Sequence, residues 1–153
     1  MTKTNDFFSL TFLCKNIFQK AFFKCKVILH FLLNINHHTE LLNHPSLGAS
    51  WEGYAITQIK YAKQDRLDMY FYRTQVGAEC DLVLCRGHQI VACIEIKYSN
   101  SPNLSRGFYQ SMENLKSKTG FIIIPEPLDY DKDNGVKIVG LSIFIKKYLL
   151  NFS

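Results

Sequence analysis

The chain has 153 residues and a mass of 17.7 kDa, enough for one domain with one core and no need of a disulfide or metal staple. Hydrophobic residues make up 47% and charged residues 20%, which excludes a disordered, collagen-like or coiled-coil chain. Of the net charge of +5, residues 1–35 supply +4 through five lysines against Asp6, so the remainder has no overall basic field and any nucleic-acid contact there must come from local placement.

The cysteines are separated by 10, 54, 4 and 7 residues, with no CxxC pair. That argues against a zinc ribbon, a thioredoxin motif or a disulfide framework, and with no signal peptide it predicts reduced thiols and a cytoplasmic setting. The front segment, residues 1–35, is rich in Phe, Leu and Lys. Lysines interrupt it, so it is neither a clean transmembrane span nor a standard signal peptide, and a membrane partner is not expected. It reads as an N-terminal helix packed on the body, as a membrane-surface segment, or as a remnant of a truncated chain.

Residues 36–153 read as the folded domain. Leu47, Trp51, Ala55, Ile59 and Ala62 recur at helical spacing behind Ser46, predicting a helix from Ser46 to about Lys63. Strands follow at 69–75, 79–85 and 89–97, joined by turns at 76–78 and 86–88. Leu104, Phe108, Met112 and Leu115 predict a helix over about 103–118, ended by Gly120. The run 121–124 (FIII) suits a strand buried on both faces, residues 129–135 a polar loop, 136–141 a strand and 142–150 a closing helix. The order is α, β-β-β, α, β, β, α.

Strand alternation then sorts the side chains. Glu79, Asp81, Val83 and Cys85 share one face, as do Val91, Cys93, Glu95 and Lys97. A three-residue turn at 86–88 places Asp81 opposite Cys93 and diagonal to Glu95, roughly 7–8 Å away. The first hairpin places Arg73 opposite Asp81. Two carboxylates on adjacent strands suit Mg²⁺, which takes hard oxygen ligands and keeps several waters. A lysine beside them can act on water and on phosphate, an arrangement for metal-assisted phosphodiester hydrolysis. Glu52, at the edge of the first helix's inward face, is a supporting carboxylate, and Gln110 can hold a phosphate or water. The same charges also suit a solvated or salt-bridged strand. Trp51 and Tyr54 read as core aromatics, Cys80, Cys85 and Cys93 as small strand hydrophobes, and His37, His38 and His44 as loop or surface residues.

Asp81, Glu95-Ile96-Lys97 and this element order resemble the PD-(D/E)XK nuclease core, the restriction-endonuclease-like fold. Gly48-Ala49-Ser50-Trp51-Glu52 is similar to a G-x-x-W-E helix start, and Tyr72-Arg73-Thr74 followed by Gly77-Ala78-Glu79-Cys80-Asp81-Leu82-Val83 to a Y-R-T…G-x-E-x-D-hydrophobic-V signature. With Ser101-Pro102, residues 40–150 resemble the C-terminal domain of unknown function that follows the ATPase domain in bacterial and archaeal AAA-type ATPases. Cys80 stands where the nuclease class is named for Pro, and no GxxxxGK[ST] occurs, so a Walker A ATP site is not expected in this chain. The resemblance implies an α/β restriction-endonuclease-like core, a mixed sheet flanked by helices. It implies a Mg²⁺-dependent nuclease-like domain with Asp81, Glu95 and Glu52 at the metal, Lys97 as the catalytic lysine and Gln110 as an accessory. DNA and a separate ATPase subunit are the partners it suggests. The alternative is a non-catalytic regulatory or binding module of a split or truncated ATPase.

Overall fold

The computed structural model describes residues 13–14, 35 and 37–152. The expectations for the front segment therefore fall outside the described residues, apart from Leu13–Cys14, a two-residue strand (β1) paired with Phe71 and Tyr72. The fold is mixed α/β. Helix α1 (His38–Leu42) precedes α2 (Leu47–Ala62), followed by β2 (Asp68–Arg73), β3 (Glu79–Arg86), β4 (Gln89–Ile96), α3 (Arg106–Asn114), β5 (Gly120–Ile124), β6 (Asp129–Asp131) and β7 (Val136–Gly140). The sheet runs β1-β2-β3-β4-β5-β7-β6, with β4, β5 and β7 parallel and the other pairs antiparallel. Among the described residues, no helix is long and apolar enough to cross a membrane.

Two hydrophobic layers sandwich the sheet. Ala55, Ile56 and Ile59 of α2 bury against Leu82, Leu84, Ala92 and Ile94. On the opposite side, Phe108 and Met112 of α3 bury against Val83, Cys85 and Cys93. Strand β5 serves both layers, with Phe121 and Ile123 facing one and Ile122 and Ile124 the other, as its unbroken apolar run predicts. Parallel pairing on both sides requires this, since helices cover each face of such a strand.

Local chemistry changes several predicted boundaries. Ser46 does not cap α2. Its hydroxyl pairs with His44 Nδ1 at 2.8 Å instead, and its backbone is already helical. Helix α3 is shorter than predicted because Ser105 caps it, its Oγ accepting from Phe108 N at 3.0 Å. At the other end, Ser117 N donates to Met112 O and Lys116 N to Glu113 O, a Schellman closure with Lys116 left-handed at φ 52°. Gly120 therefore does not end the helix; it opens β5, where a Cβ would meet Met112 and Val136 side chains. The polar stretch after Pro127 contains the edge strand β6, all three residues exposed, its charges protecting a sheet edge.

The predicted closing helix is irregular: an α-turn (Leu141–Ile143) widens into a π-helical turn (Phe144–Tyr148) and tightens again at Leu149–Phe152. The side chains explain its value to the core. Phe144, Tyr148 and Phe152 all bring their rings within 5.0–6.0 Å of Phe121. Phe121→Ala removes the ring at the centre of this cluster. It is expected to destabilise the fold by about 3–5 kcal/mol, read as a lower midpoint in denaturant with an unchanged slope.

Candidate functional site

The site forms where the β3–β4 ladder runs out. The hairpin turn is Gly87-His88, because Arg86 pairs with Gln89; it is one residue tighter than the sequence suggested. One step along, Cys85 pairs with Ile90 but Leu84 with Ala92, so Val91 is an extra residue on β4. Beyond it Leu82 pairs with Ile94, and the same register carried one residue further sets Asp81 opposite Glu95 rather than Cys93. The register is displaced by two residues from the expected one. An even displacement keeps each side chain on its face, so Asp81 and Glu95 still share a side. Val91 itself is an exception: it packs in the α2 layer, whereas Cys93 lies in the α3 layer.

A second irregularity sits at Asp81. Tyr70 pairs with Val83 but Tyr72 with Cys80, so Asp81 and Leu82 together oppose Phe71. Bulges of this kind re-aim side chains. Here Asp81 turns along the sheet, and its Oδ2 accepts from Ile96 N at 2.7 Å. Cys93 and Lys97 donate their amides towards β5, so the Ile96 amide points to β3, beyond the last β3–β4 pair, Leu82–Ile94. The Asp81 carboxylate supplies its acceptor there. Arg73 pairs with Glu79, not Asp81, through an exposed contact of 3.8 Å. The turn itself sets this register: Thr74 N donates to Ala78 O at 2.9 Å, so the turn spans residues 75–77 rather than 76–78 and Arg73 does not stand opposite Asp81.

Asp81, Glu95 and Lys97 line one cleft of about 310 Å³, together with Glu79, Gly77, Ser105 and Gly107. Lys97 Nζ lies 2.9 Å from Glu95 Oε1. The other oxygen, Glu95 Oε2, is buried with no hydrogen-bond partner, on a residue only 5% exposed. Burial pushes the Asp81 carboxyl up to about 7; the Ile96 amide opposes this, the charges of Glu52 and Glu95 add to it, and Lys97 opposes it. For Lys97, burial pulls the ammonium down, but the hydrogen bond and charge of Glu95, helped by Asp81 and Glu52, hold it above its ordinary value of 10.5. It is a protonated donor at neutral pH. Glu52 is felt by both groups yet does not line the cleft.

Gln110 is placed elsewhere. Its Nε2 donates to Glu113 and Asn114, and it lines an adjoining depression with Arg106 and Asn114. The two hollows share Gly77 and Gly107. Ser105 and Gly107 escaped the sequence analysis, and Gly77 and Glu79 entered it as motif positions but not as site residues. The signal for Ser105 was its capping position three residues before Phe108. Gly107 packs so tightly that a Cβ there would lie 2.5 Å from Gly77 O. Cys80, Cys85 and Cys93 are buried free thiols, as their strand positions suggested. Tyr54, in contrast, is 53% exposed and not a core residue.

The fit of a divalent cation follows from the donor set. Two hard carboxylates, one with an orphaned buried oxygen, suit Mg²⁺, which takes one or two carboxylates and completes its shell with water. Among the described residues, no group of three or more His, Cys, Asp or Glu side chains is arranged to hold a metal. Of the three expected carboxylates, Asp81 and Glu95 line the cleft, while Glu52 does not line it and acts on Asp81 and Lys97 through its charge.

The raised Asp81 value has a pH consequence. The folded state holds the Asp81 proton between its ordinary 3.8 and about 7, whereas the unfolded state does not. This contribution to stability is complete at acid pH and is lost as pH rises through about 7. In chelator, the melting temperature of the native chain is expected to fall by several degrees more than that of Asp81→Asn between pH 4 and 8. Parallel melting curves for the two proteins would contradict the assignment.

Residues 47–144 match the family described as Domain of unknown function (DUF4143). The chain is 31% identical over 106 residues to two uncharacterized proteins, Mb2031c of Mycobacterium bovis and Rv2008c of Mycobacterium tuberculosis. The matched stretch covers 69% of this chain and 24% of each relative, so the chain spans about a quarter of the length of the curated relatives it matches. No solved structure matches it. The matched span runs from the start of α2 through every strand after β1 and takes in the whole cleft, so this chain belongs to the DUF4143 family.

Proposed function

We propose that this chain is a PD-(D/E)XK nuclease-like domain that hydrolyses DNA phosphodiesters with Mg²⁺. The observation that carries the reading is the buried, unpartnered Oε2 of Glu95 beside Asp81 in a cleft that also holds the Lys97 ammonium. Bound Mg²⁺ would supply Lewis-acid polarisation of a phosphoryl oxygen and a water of lowered pKa. Asp81 and Glu95 are the residues that would hold it. Asp81 arrives pre-oriented, because one of its oxygens is tied to the Ile96 amide. Lys97, held as an ammonium, donates hydrogen bonds to water and phosphate oxygens and balances charge developing on the phosphate. It does not serve as a proton acceptor in that state. Glu52 adds negative charge behind the pair and favours a cation there.

A separate ATPase subunit is the proposed protein partner; no Walker A sequence occurs within residues 1–153. DNA is the proposed substrate and a cytoplasmic setting the proposed location. One observation favours a second reading, a non-catalytic binding or regulatory module of a split AAA-type ATPase. The Lys97–Glu95 ion pair of 2.9 Å already closes part of the cluster without any cation.

Thermal melts and cleavage assays separate the two readings. A cation that binds only the native state stabilises it by about 2.7 kcal/mol at a hundredfold excess over Kd, a rise of several degrees here. Under the nuclease reading, Mg²⁺ raises the melting temperature of the native chain and Asp81→Asn loses both the shift and DNA cleavage. Lys97→Ala keeps the shift but loses cleavage by about 10²–10³-fold, the usual effect of removing one transition-state donor. Neither a shift nor Mg²⁺-dependent cleavage in the native chain would assign the cluster to the binding-module reading.

A further inference from the structure

We infer that Arg106 and the open end of α3 form a phosphate subsite beside the cleft, so that the chain takes a phosphodiester strand reaching at least one nucleotide past the reacting bond, not a mononucleotide. The placement of the reacting phosphate rests on the nuclease reading; the binding of its neighbour has its own test. Two adjoining hollows differ in charge. The cleft is lined by three carboxylates, those of Glu79, Asp81 and Glu95, against the single ammonium of Lys97. The second hollow, of about 460 Å³, is lined by the Arg106 guanidinium and by no acid. Arg106 is exposed and has no ion pair or hydrogen bond among the described residues. Lys97 and Arg73, by contrast, are engaged by Glu95 and Glu79. Glu113, further along α3, lies outside the second hollow's lining and accepts from Gln110 Nε2 at 3.1 Å.

The helix end adds donors. The amides of Arg106 and Gly107 open α3, where no intrahelical acceptor exists, and neither has a partner among the described residues. Ser105 Oγ accepts from Phe108 N, which leaves its hydroxyl hydrogen to donate. Amides at a helix start, a hydroxyl and a guanidinium are the donors that take phosphate. Ser105 and Gly107 share the cleft with the buried, unpartnered Oε2 of Glu95, an acceptor that suits a cation. The two sets together complement a phosphate strand and its counter-cation. The hollows are also continuous. Gly77 and Gly107 line both, and a Cβ at Gly107 would lie 2.5 Å from Gly77 O. The sill between them is bare backbone that raises no side chain against a crossing strand. A phosphodiester strand repeats its anion at every nucleotide, so a phosphate at Lys97 leaves the next one to reach Arg106. Contacts of this kind fix the position of a strand without reading its sequence. A mononucleotide, with one phosphate, cannot fill both places.

The test is fluorescence anisotropy of a fluorescein-labelled DNA oligonucleotide with the full chain, in chelator and across a salt series from low salt upward. Arg106→Ala, verified as folded by thermal melt, is expected to bind about tenfold more weakly than the native chain. The slope of log Kd against log salt is expected to fall by about one, the signature of one lost phosphate contact. Arg106→Lys is expected to keep the slope and most of the affinity. The same differences are expected in an Asp81→Asn background, because the Arg106 contact does not pass through the cleft carboxylates. Unchanged affinity and slope in Arg106→Ala would overturn the inference, as would a native chain that binds no DNA at low salt. So would displacement of the oligonucleotide by inorganic phosphate or by polyglutamate at matched charge concentration, which would give the hollow to a free anion or an acidic peptide. Arg106-dependent binding without Mg²⁺-dependent cleavage sinks the nuclease reading and keeps the subsite. Mg²⁺-dependent cleavage whose KM is the same in Arg106→Ala does the reverse.

Discussion

The Ile96 amide is the point from which the cleft is built. It emerges from β4 on the β3 side, past the last β3–β4 pair, and a buried amide without an acceptor would cost about 1–3 kcal/mol. The Asp81 carboxylate fills the vacancy at 2.7 Å. For it to do so, β3 must bulge at Asp81–Leu82 and β4 at Val91, so that the terminal register sets Asp81 opposite Glu95. A backbone requirement thereby fixes one oxygen of the acid and leaves the other available to the cleft.

The electrostatics follow from that placement. A carboxylate drawn into the end of a ladder loses water, and two further acids stand nearby, which is why Asp81 holds its proton unusually well. Lys97 compensates only part of this charge, since its short contact is with one oxygen of Glu95. Under the proposed metal reading, protons and divalent cations would compete for the same negative cluster. Neutralising it by either route relieves the same penalty.

Much of this was legible in the residues. The helix α2, the three consecutive strands and the doubly buried β5 all follow from periodicity, and the co-location of Asp81, Glu95 and Lys97 follows from alternation. Register was not legible, because a bulge inserts a residue without any compositional mark; Val91 looks like any strand valine. The partner of Arg73 was misassigned because the β2–β3 turn sits one residue earlier than expected, over residues 75–77. Gln110 was misplaced because a helical position fixes a face but not which of two adjoining hollows the side chain enters. Lys116 shows a further limit, since its neighbours' hydrogen bonds, rather than a glycine, set the left-handed close of α3.

The contact between Gly107 and Gly77 gives the cleft a fixed gauge. The start of α3 rests on the backbone of the β2–β3 turn at a separation that has no room for a side chain. Backbone-to-backbone seating cannot be loosened by a rotamer change, as a wall made of lysines or leucines could. The slot between Ser105 and Asp81 thus behaves as a rigid jaw, and a ligand must match its width or move the hairpin and helix together as one body.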